Sequence, residues 1–107
     1  QLQGAAAQGI GFALYEEIVF DGGHVTNRNF KDYRIPKATE LPVDNEVIIL
    51  ESADDDGPFG ARGVGEMGVI AAAPAVGNAI ADAIDIDVRV CPVTPERLLE
   101  RLSETRR

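Results

Sequence analysis

The chain has 107 residues, enough for one domain's worth of core, with 45% apolar residues, only 6% aromatic ones and a formal net charge of -8. That acidity excludes a phosphate-tracking surface, because nucleic-acid binding needs a basic face that releases counterions. A single cysteine, Cys91, excludes a disulfide framework and a zinc or iron–sulfur clamp built from this chain alone, and fits a reducing, cytoplasmic setting.

The sequence starts at Gln1 with a helical pattern under way and no initiator methionine, so it reads as a piece of something larger. Between Gln1 and Glu17, Leu2, Ala6, Ile10, Ala13 and Leu14 recur at three- and four-residue steps, which predicts a helix. Gln1, Gly4, Gln8 and Gly11 form a second stripe on it. An interior Gly costs a helix about 1 kcal/mol relative to Ala, so the stripe implies close approach to the backbone, by another helix or by a bound cofactor. In the cofactor case the stripe forms a face that this chain's own residues cover poorly.

Ile18-Val19-Phe20, Asp21-Gly22-Gly23 and His24-Val25-Thr26 predict a hairpin, the glycines supplying the positive φ of a tight turn. His24, at its edge, reads as solvated and without a role. Residues 31–45, with Pro36 and Pro42 among mixed charges, read as an extended ordered loop. Val47-Ile48-Ile49-Leu50, bounded by Glu46 and Glu51, predicts a strand covered on both faces. Asp54-Asp55-Asp56-Gly57-Pro58 turns the chain. Those aspartates lack the alternate-position ligands and distant bidentate Glu of a calcium loop, and read as a solvated turn.

After the glycine-rich residues 57–68, Val69-Ile70-Ala71 starts a helical stretch that Pro74 kinks or restarts, with Val76, Ile80, Ala83 and Ile84 on one face. The uncharged run from Met67 to Ala81 reads as too short and too weakly apolar to span a bilayer. Ile86, Val88 and Val90 alternate with Asp87, Arg89 and Cys91, predicting a half-buried strand with Cys91 at its end. Thr94-Pro95-Glu96 offers an N-cap, a first-turn proline and a first-turn acid to a last helix that buries Leu98, Leu99 and Leu102. Arg106-Arg107 reads as a natural terminus. The sum is an α+β class: three main helical segments packed against a small mixed or antiparallel sheet.

Gly63-Val64-Gly65-Glu66-Met67-Gly68 formally matches the dinucleotide fingerprint, with Asp85 or Asp87 about twenty residues on. In that fold, however, a strand runs straight into the first glycine and the acid closes the second strand; here residues 54–60 intervene, and both aspartates stand where the strand begins. In the other reading Glu66 is the point of the loop. Glycines let the backbone approach a flat or bulky ligand, and the carboxylate is delivered just before a helix, where the dipole favours its charge and burial opposes it.

These residues resemble the molybdenum-binding subunit of the xanthine dehydrogenase and aldehyde oxidase family, which includes carbon monoxide dehydrogenase large chains and bacterial hydroxylases of N-heterocycles. The matching pieces are Gln1-Leu2-Gln3-Gly4 with Gln8-Gly9-Ile10-Gly11, Tyr33-Arg34-Ile35-Pro36 with Leu41-Pro42, and residues 57–66 ending in Gly63-Val64-Gly65-Glu66. Residues 73–80 and Thr94-Pro95-Glu96-Arg97 follow in the family's order. The resemblance implies that the chain, residues 1–107, is a C-terminal portion of a molybdopterin-binding domain, inactive as an isolated piece. It implies that Glu66 is the catalytic base that activates the molybdenum-bound hydroxyl, so that water-derived oxygen is added to an aldehyde, purine or N-heterocycle carbon. Gln1, Gln8, Gly63, Val64 and Gly65 then hold the pterin, in its plain or cytosine dinucleotide form, and no side chain here binds the metal.

The same resemblance implies iron–sulfur clusters and FAD on other domains or subunits, the remainder of the molybdenum subunit as partner, a small-molecule substrate, and an oligomer of the whole enzyme, with neither nucleic acid nor membrane. Met67-Gly68 departs from the small residues or prolines that many members carry after the glutamate, which leaves the substrate open. The rival from another class is a noncatalytic assembly or dinucleotide-binding module reusing the same loop. The two differ at Glu66, since a scaffold needs no acid there, and ahead of Gly63, where a dinucleotide fold needs a strand.

Overall fold

The computed structural model describes residues 1–105, so the Arg106-Arg107 terminus lies outside the described residues. Three helices, α1 (Leu2–Leu14), α2 (Met67–Ile84) and α3 (Pro95–Thr105), accompany one antiparallel pair of strands, β1 (Phe20–Asp21) and β2 (His24–Val25). The α+β class holds. The hairpin is where the sequence places it, with Phe20 opposite Val25 and Asp21 opposite His24. Gly22 and Gly23 make its turn at φ 54° and 82°, a left-handed region that glycine enters at no steric cost.

Helices α1 and α2 lie side by side and run the same way: Leu2 and Ala5 meet Gly68, and Gly9 meets Val69 and Ala72. A Cβ on Gly68 would stand 2.9 Å from the Ala5 Cβ, so the two backbones approach as closely as the missing side chains allow. The contact therefore runs through Leu2, Ala5 and Gly9 and not through the larger Ile10 and Leu14, which are half-buried beside it. Parallel helices need a long crossover, and residues 15–66 supply it. The arrangement brings the N-termini of α1 and α2 to the same end of the pair.

Two expected strands do not form. Residues 47–50 have no regular structure, and Ile48, Ile49 and Leu50 are 73%, 74% and 85% exposed. A strand must exchange its N–H and C=O groups with a neighbour, and among the described residues no further strand stands beside this run. Residues 86–90 are likewise irregular, and Cys91 is exposed and ends no strand. Their alternation survives in part, because Ile86 is buried and Val88 rests 3.6 Å from the position of a Cβ on Gly77 of α2.

Helix α2 is continuous through Pro74 and ends at Asp85, which takes the left-handed conformation at φ 53°. It has 18 residues and a mean hydropathy of 1.5, enough by length and composition alone to cross a membrane, which corrects the expectation of a run too short to do so. Its contact with α1 and the polar Asn78 and Asp82 on its later turns suit a helix packed in protein. Helix α3 starts as expected, with the Thr94 hydroxyl accepting from the Arg97 N–H at 3.4 Å. It is tied to the end of α1: the Val93 N–H donates to the Ala13 carbonyl (2.6 Å), and the Arg97 guanidinium donates to Glu17 (2.6 Å) and to the Pro92 carbonyl (2.9 Å).

Candidate functional site

Glu66 is the N-cap of α2, at φ -117° and ψ -6°, and its side chain makes no capping hydrogen bond. The carboxylate is thus not spent on its own helix, although it stands where that helix's positive end favours a negative charge. The loop in front of it, residues 61–64, is irregular, so no strand runs into Gly63 as the dinucleotide fold requires. Gly63 and Gly65 have open space where a Cβ would point, leaving their backbone free for close approach.

The parallel helix pair brings Gln1 to this loop across 64 residues of sequence: its side-chain Nε2 donates to the Gly65 carbonyl at 3.1 Å. Gln1, Gly65 and Glu66 are therefore neighbours, as are Val64 and Gln1, which line one depression of about 390 Å³ with Leu2, Gln3, Val47 and Ile49. Gln8 is not part of this cluster. It is exposed two turns along α1, about 10 Å from Gln1 at 1.5 Å per residue.

The stripe holds in part. Gln1, Gly4 and Gln8 are exposed, and a Cβ on Gly4 would meet nothing within 4 Å. Gly11, in contrast, is buried against the Glu16 carboxylate and Pro36, so the open face ends before it. The glycine serving tight helix contact is Gly9, outside the stripe.

Beside the loop lies a larger open groove of about 850 Å³, whose walls include Gly63, Val64, Arg62, Phe59, Ile48 and Leu50. The sequence reading missed this wall by assigning residues 47–50 to a two-sided buried strand. It also passed over Arg62, the cation of the loop, which pairs with Asp54 at 3.2 Å and so secures the loop's stem. Phe59 adopts φ 58° with its side chain fully exposed toward the groove, a left-handed conformation unusual for an aromatic residue. The signal that could have found these residues is the unbroken apolar run at 47–50 lying a short loop ahead of the glycines.

Outside the site, Asp54 is absorbed by the Arg62 pair, and among the described residues no three His, Cys, Asp or Glu side chains converge as a metal site. The crossover is pinned by a polar cluster. The Arg34 guanidinium stacks 4.2 Å over Tyr15 and pairs with Glu40, and the Tyr33 hydroxyl donates to Glu16 at 2.6 Å. The Lys37 backbone N–H, then the Arg34 guanidinium, holds the Glu40 carboxyl below the usual carboxylate range. The hydrogen bond to Glu16 pushes the Tyr33 phenol up. Its own backbone N–H, then the Thr94 hydroxyl, lowers the Glu96 carboxyl.

Comparison with known proteins decides what this arrangement belongs to. Residues 1–42 match the molybdopterin cofactor-binding domain. Over 105 residues the chain is 46% identical to the gamma subunit of a 6-hydroxypseudooxynicotine dehydrogenase complex of Paenarthrobacter nicotinovorans, covering 94% of this chain and 13% of that protein. It is 40% identical to a probable hypoxanthine oxidase of Escherichia coli strain K12, covering 97% of this chain and 11% of that one. The chain belongs to the family of xanthine dehydrogenase and aldehyde oxidoreductase molybdenum-binding subunits. Its fold superposes on the crystal structure of quinoline 2-oxidoreductase from Pseudomonas putida 86 with a TM-score of 0.87 at 32% identity, covering 96% of this chain and 14% of that one. It thus spans between 11% and 14% of the length of these relatives.

Proposed function

We propose that the chain is the C-terminal portion of the molybdopterin-binding domain of a molybdenum hydroxylase and that Glu66 is its catalytic base. The observation that carries this reading is the meeting of Gln1, Val64, Gly65 and Glu66 at the paired N-termini of α1 and α2, in a chain whose first 42 residues match a molybdopterin-binding domain. The residues suit such a group. Gly4, Gly63 and Gly65 leave backbone open to a flat ring system, and the Gln1 amide, with its donor committed to Gly65, keeps its Oε1 free to accept from a ring N–H.

Gln1, Gly63, Val64 and Gly65 would hold the pterin at this end, with Gln8 further along the same exposed face of α1. When bound, the molybdenum cofactor supplies the two-electron acceptor for the oxidation. Glu66 takes up a proton at a carboxylate oxygen from the water-derived nucleophile, a role its side chain is free to fill because it makes no capping hydrogen bond to α2. The groove walled by Ile48, Leu50, Phe59 and Val64 suits an apolar, ring-bearing substrate among aldehydes, purines and N-heterocycles. Relatives named as subunits support further subunits as partners, which in this reading carry the iron–sulfur and flavin groups, and the lone Cys91 suits a cytoplasmic enzyme.

The test is turnover of benzaldehyde, hypoxanthine and quinoline by the complete enzyme and by its Glu66→Gln variant, with molybdenum content measured in both. The variant is expected to lose activity by about 10²–10⁴-fold at unchanged molybdenum. Activity near that of the unmodified enzyme would remove Glu66 from the reaction.

A further inference from the structure

Of the loop that delivers Glu66, residues 63–66, only two backbone carbonyls have partners among the described residues. The Glu66 carbonyl accepts from the Val69 N–H at 3.0 Å as α2 begins, and the Gly65 carbonyl accepts from Gln1 at 3.1 Å. Gly63 and Gly65 carry no side chain to pack, and a Cβ at either would meet nothing within 4 Å, so sterics do not hold this stretch. The Gly65 carbonyl belongs to the same planar peptide as the Glu66 N–H. Fixing that oxygen fixes the plane from which the Glu66 Cα, and with it the carboxylate, departs.

We propose that Gln1 is a positioning residue for Glu66, its side-chain amide acting as a latch from α1 onto the Gly65–Glu66 peptide. This rests on the reading of Glu66 as the base. A latch between parallel helices suits the task, because Ala5, Gly9, Gly68 and Ala72 pack the two backbones too closely to slide, and Gln1 therefore refers the loop to a rigid frame. The hydrogen bond is exposed and contributes little to stability by itself. Its effect is geometric: a displacement of about 1 Å at a reacting group can cost on the order of 100-fold in rate.

The test uses the complete, metal-loaded enzyme with Gln1→Glu, Gln1→Ala, Glu66→Gln and the double variant Gln1→Glu/Glu66→Gln. Glutamate keeps the shape and the acceptor oxygens of Gln1 but, when ionised, cannot donate to the Gly65 carbonyl. Gln1→Glu is expected to lower kcat by about 10- to 100-fold with KM, thermal midpoint and molybdenum content nearly unchanged. Its kcat should recover relative to the unmodified enzyme as pH falls and the new carboxyl regains a proton to donate; Gln1→Ala should show no such recovery. In single-turnover reduction the double variant should be no slower than Glu66→Gln, since a residue acting only through Glu66 has nothing left to position.

Unchanged kcat in Gln1→Glu overturns the proposal. So does loss of molybdenum in step with activity, which would make Gln1 a pterin ligand and nothing more, or an additive loss in the double variant. Full activity of Glu66→Gln would overturn the base reading instead, whatever Gln1→Glu does.

Discussion

At the scale of single residues, two glycines five residues apart on α1, Gly4 and Gly9, separate packing from ligand approach. Gly9 faces Ala72 with no room for a methyl group, whereas Gly4 faces open space. Gly9→Ala in the complete subunit is therefore expected to lower the thermal midpoint through about 1–3 kcal/mol of overpacking, despite the better helix propensity of alanine. Gly4→Ala should leave the midpoint unchanged or raise it and should reduce molybdenum content, because its methyl group enters the face assigned to the pterin. Normal content would release Gly4 from that face. The sequence made this distinction only halfway: it showed that glycines recur on the helix, but spacing does not reveal which partner each one meets. Glu66 and Gly63-Val64-Gly65 were singled out through the family resemblance, because a glycine run ending in an acid before a helix is by itself usually a first-turn acid; the structure puts Glu66 at the N-cap of α2. Arg62 was not, since its importance lies in an ion pair with Asp54 that no spacing rule predicts.

At the scale of elements, helices and hairpin were readable from local chemistry, and the strands at 47–50 and 86–90 were misread for a shared reason. Helices and a Gly-Gly turn satisfy their own backbone, while a strand exists only if another strand lies beside it. What joins these elements is polar and testable. Arg97 links α3 to Glu17 and Pro92, so Arg97→Ala should lower stability by roughly 1 kcal/mol, the part-exposed ion pair adding little to the lost carbonyl contact. A thermal melt at low and high salt checks it, and strong salt dependence would shift the weight to charge. In the crossover, folding lowers the Glu40 pKa, so its contribution is present above the ordinary glutamate range and lost as pH falls through the lowered value. Folding raises the Tyr33 pKa, so its contribution is present below the ordinary tyrosine range and lost as pH rises through the raised value. Glu16→Gln should move the Tyr33 titration, followed by NMR of the ring, back toward the ordinary value; an unmoved titration would show that Glu16 is not its cause.

At the scale of the whole molecule, the chain is more open than a domain of its length. Its radius of gyration is 17.4 Å, against about 13 Å for a compact domain of this size, and its accessible surface is 8670 Å², against roughly 5,800 Å². Among the described residues its buried apolar side chains are only Ala5, Ala13, Ile86 and Val93, while Val43, Leu50 and Phe59 face outward. A wall of a larger pocket has this form, and the chain alone is accordingly expected to retain no molybdenum cofactor; near-stoichiometric molybdenum in the purified 107-residue chain would contradict this. The central claim, that the wall carries the base, is tested most directly by rapid mixing of the complete Glu66→Gln enzyme with substrate and, separately, with dithionite. Reduction by substrate should be slowed by about 10²–10⁴-fold while reduction by dithionite keeps its rate, since only the first requires the proton to be taken up. Reduction by substrate at close to the unmodified rate would contradict the account.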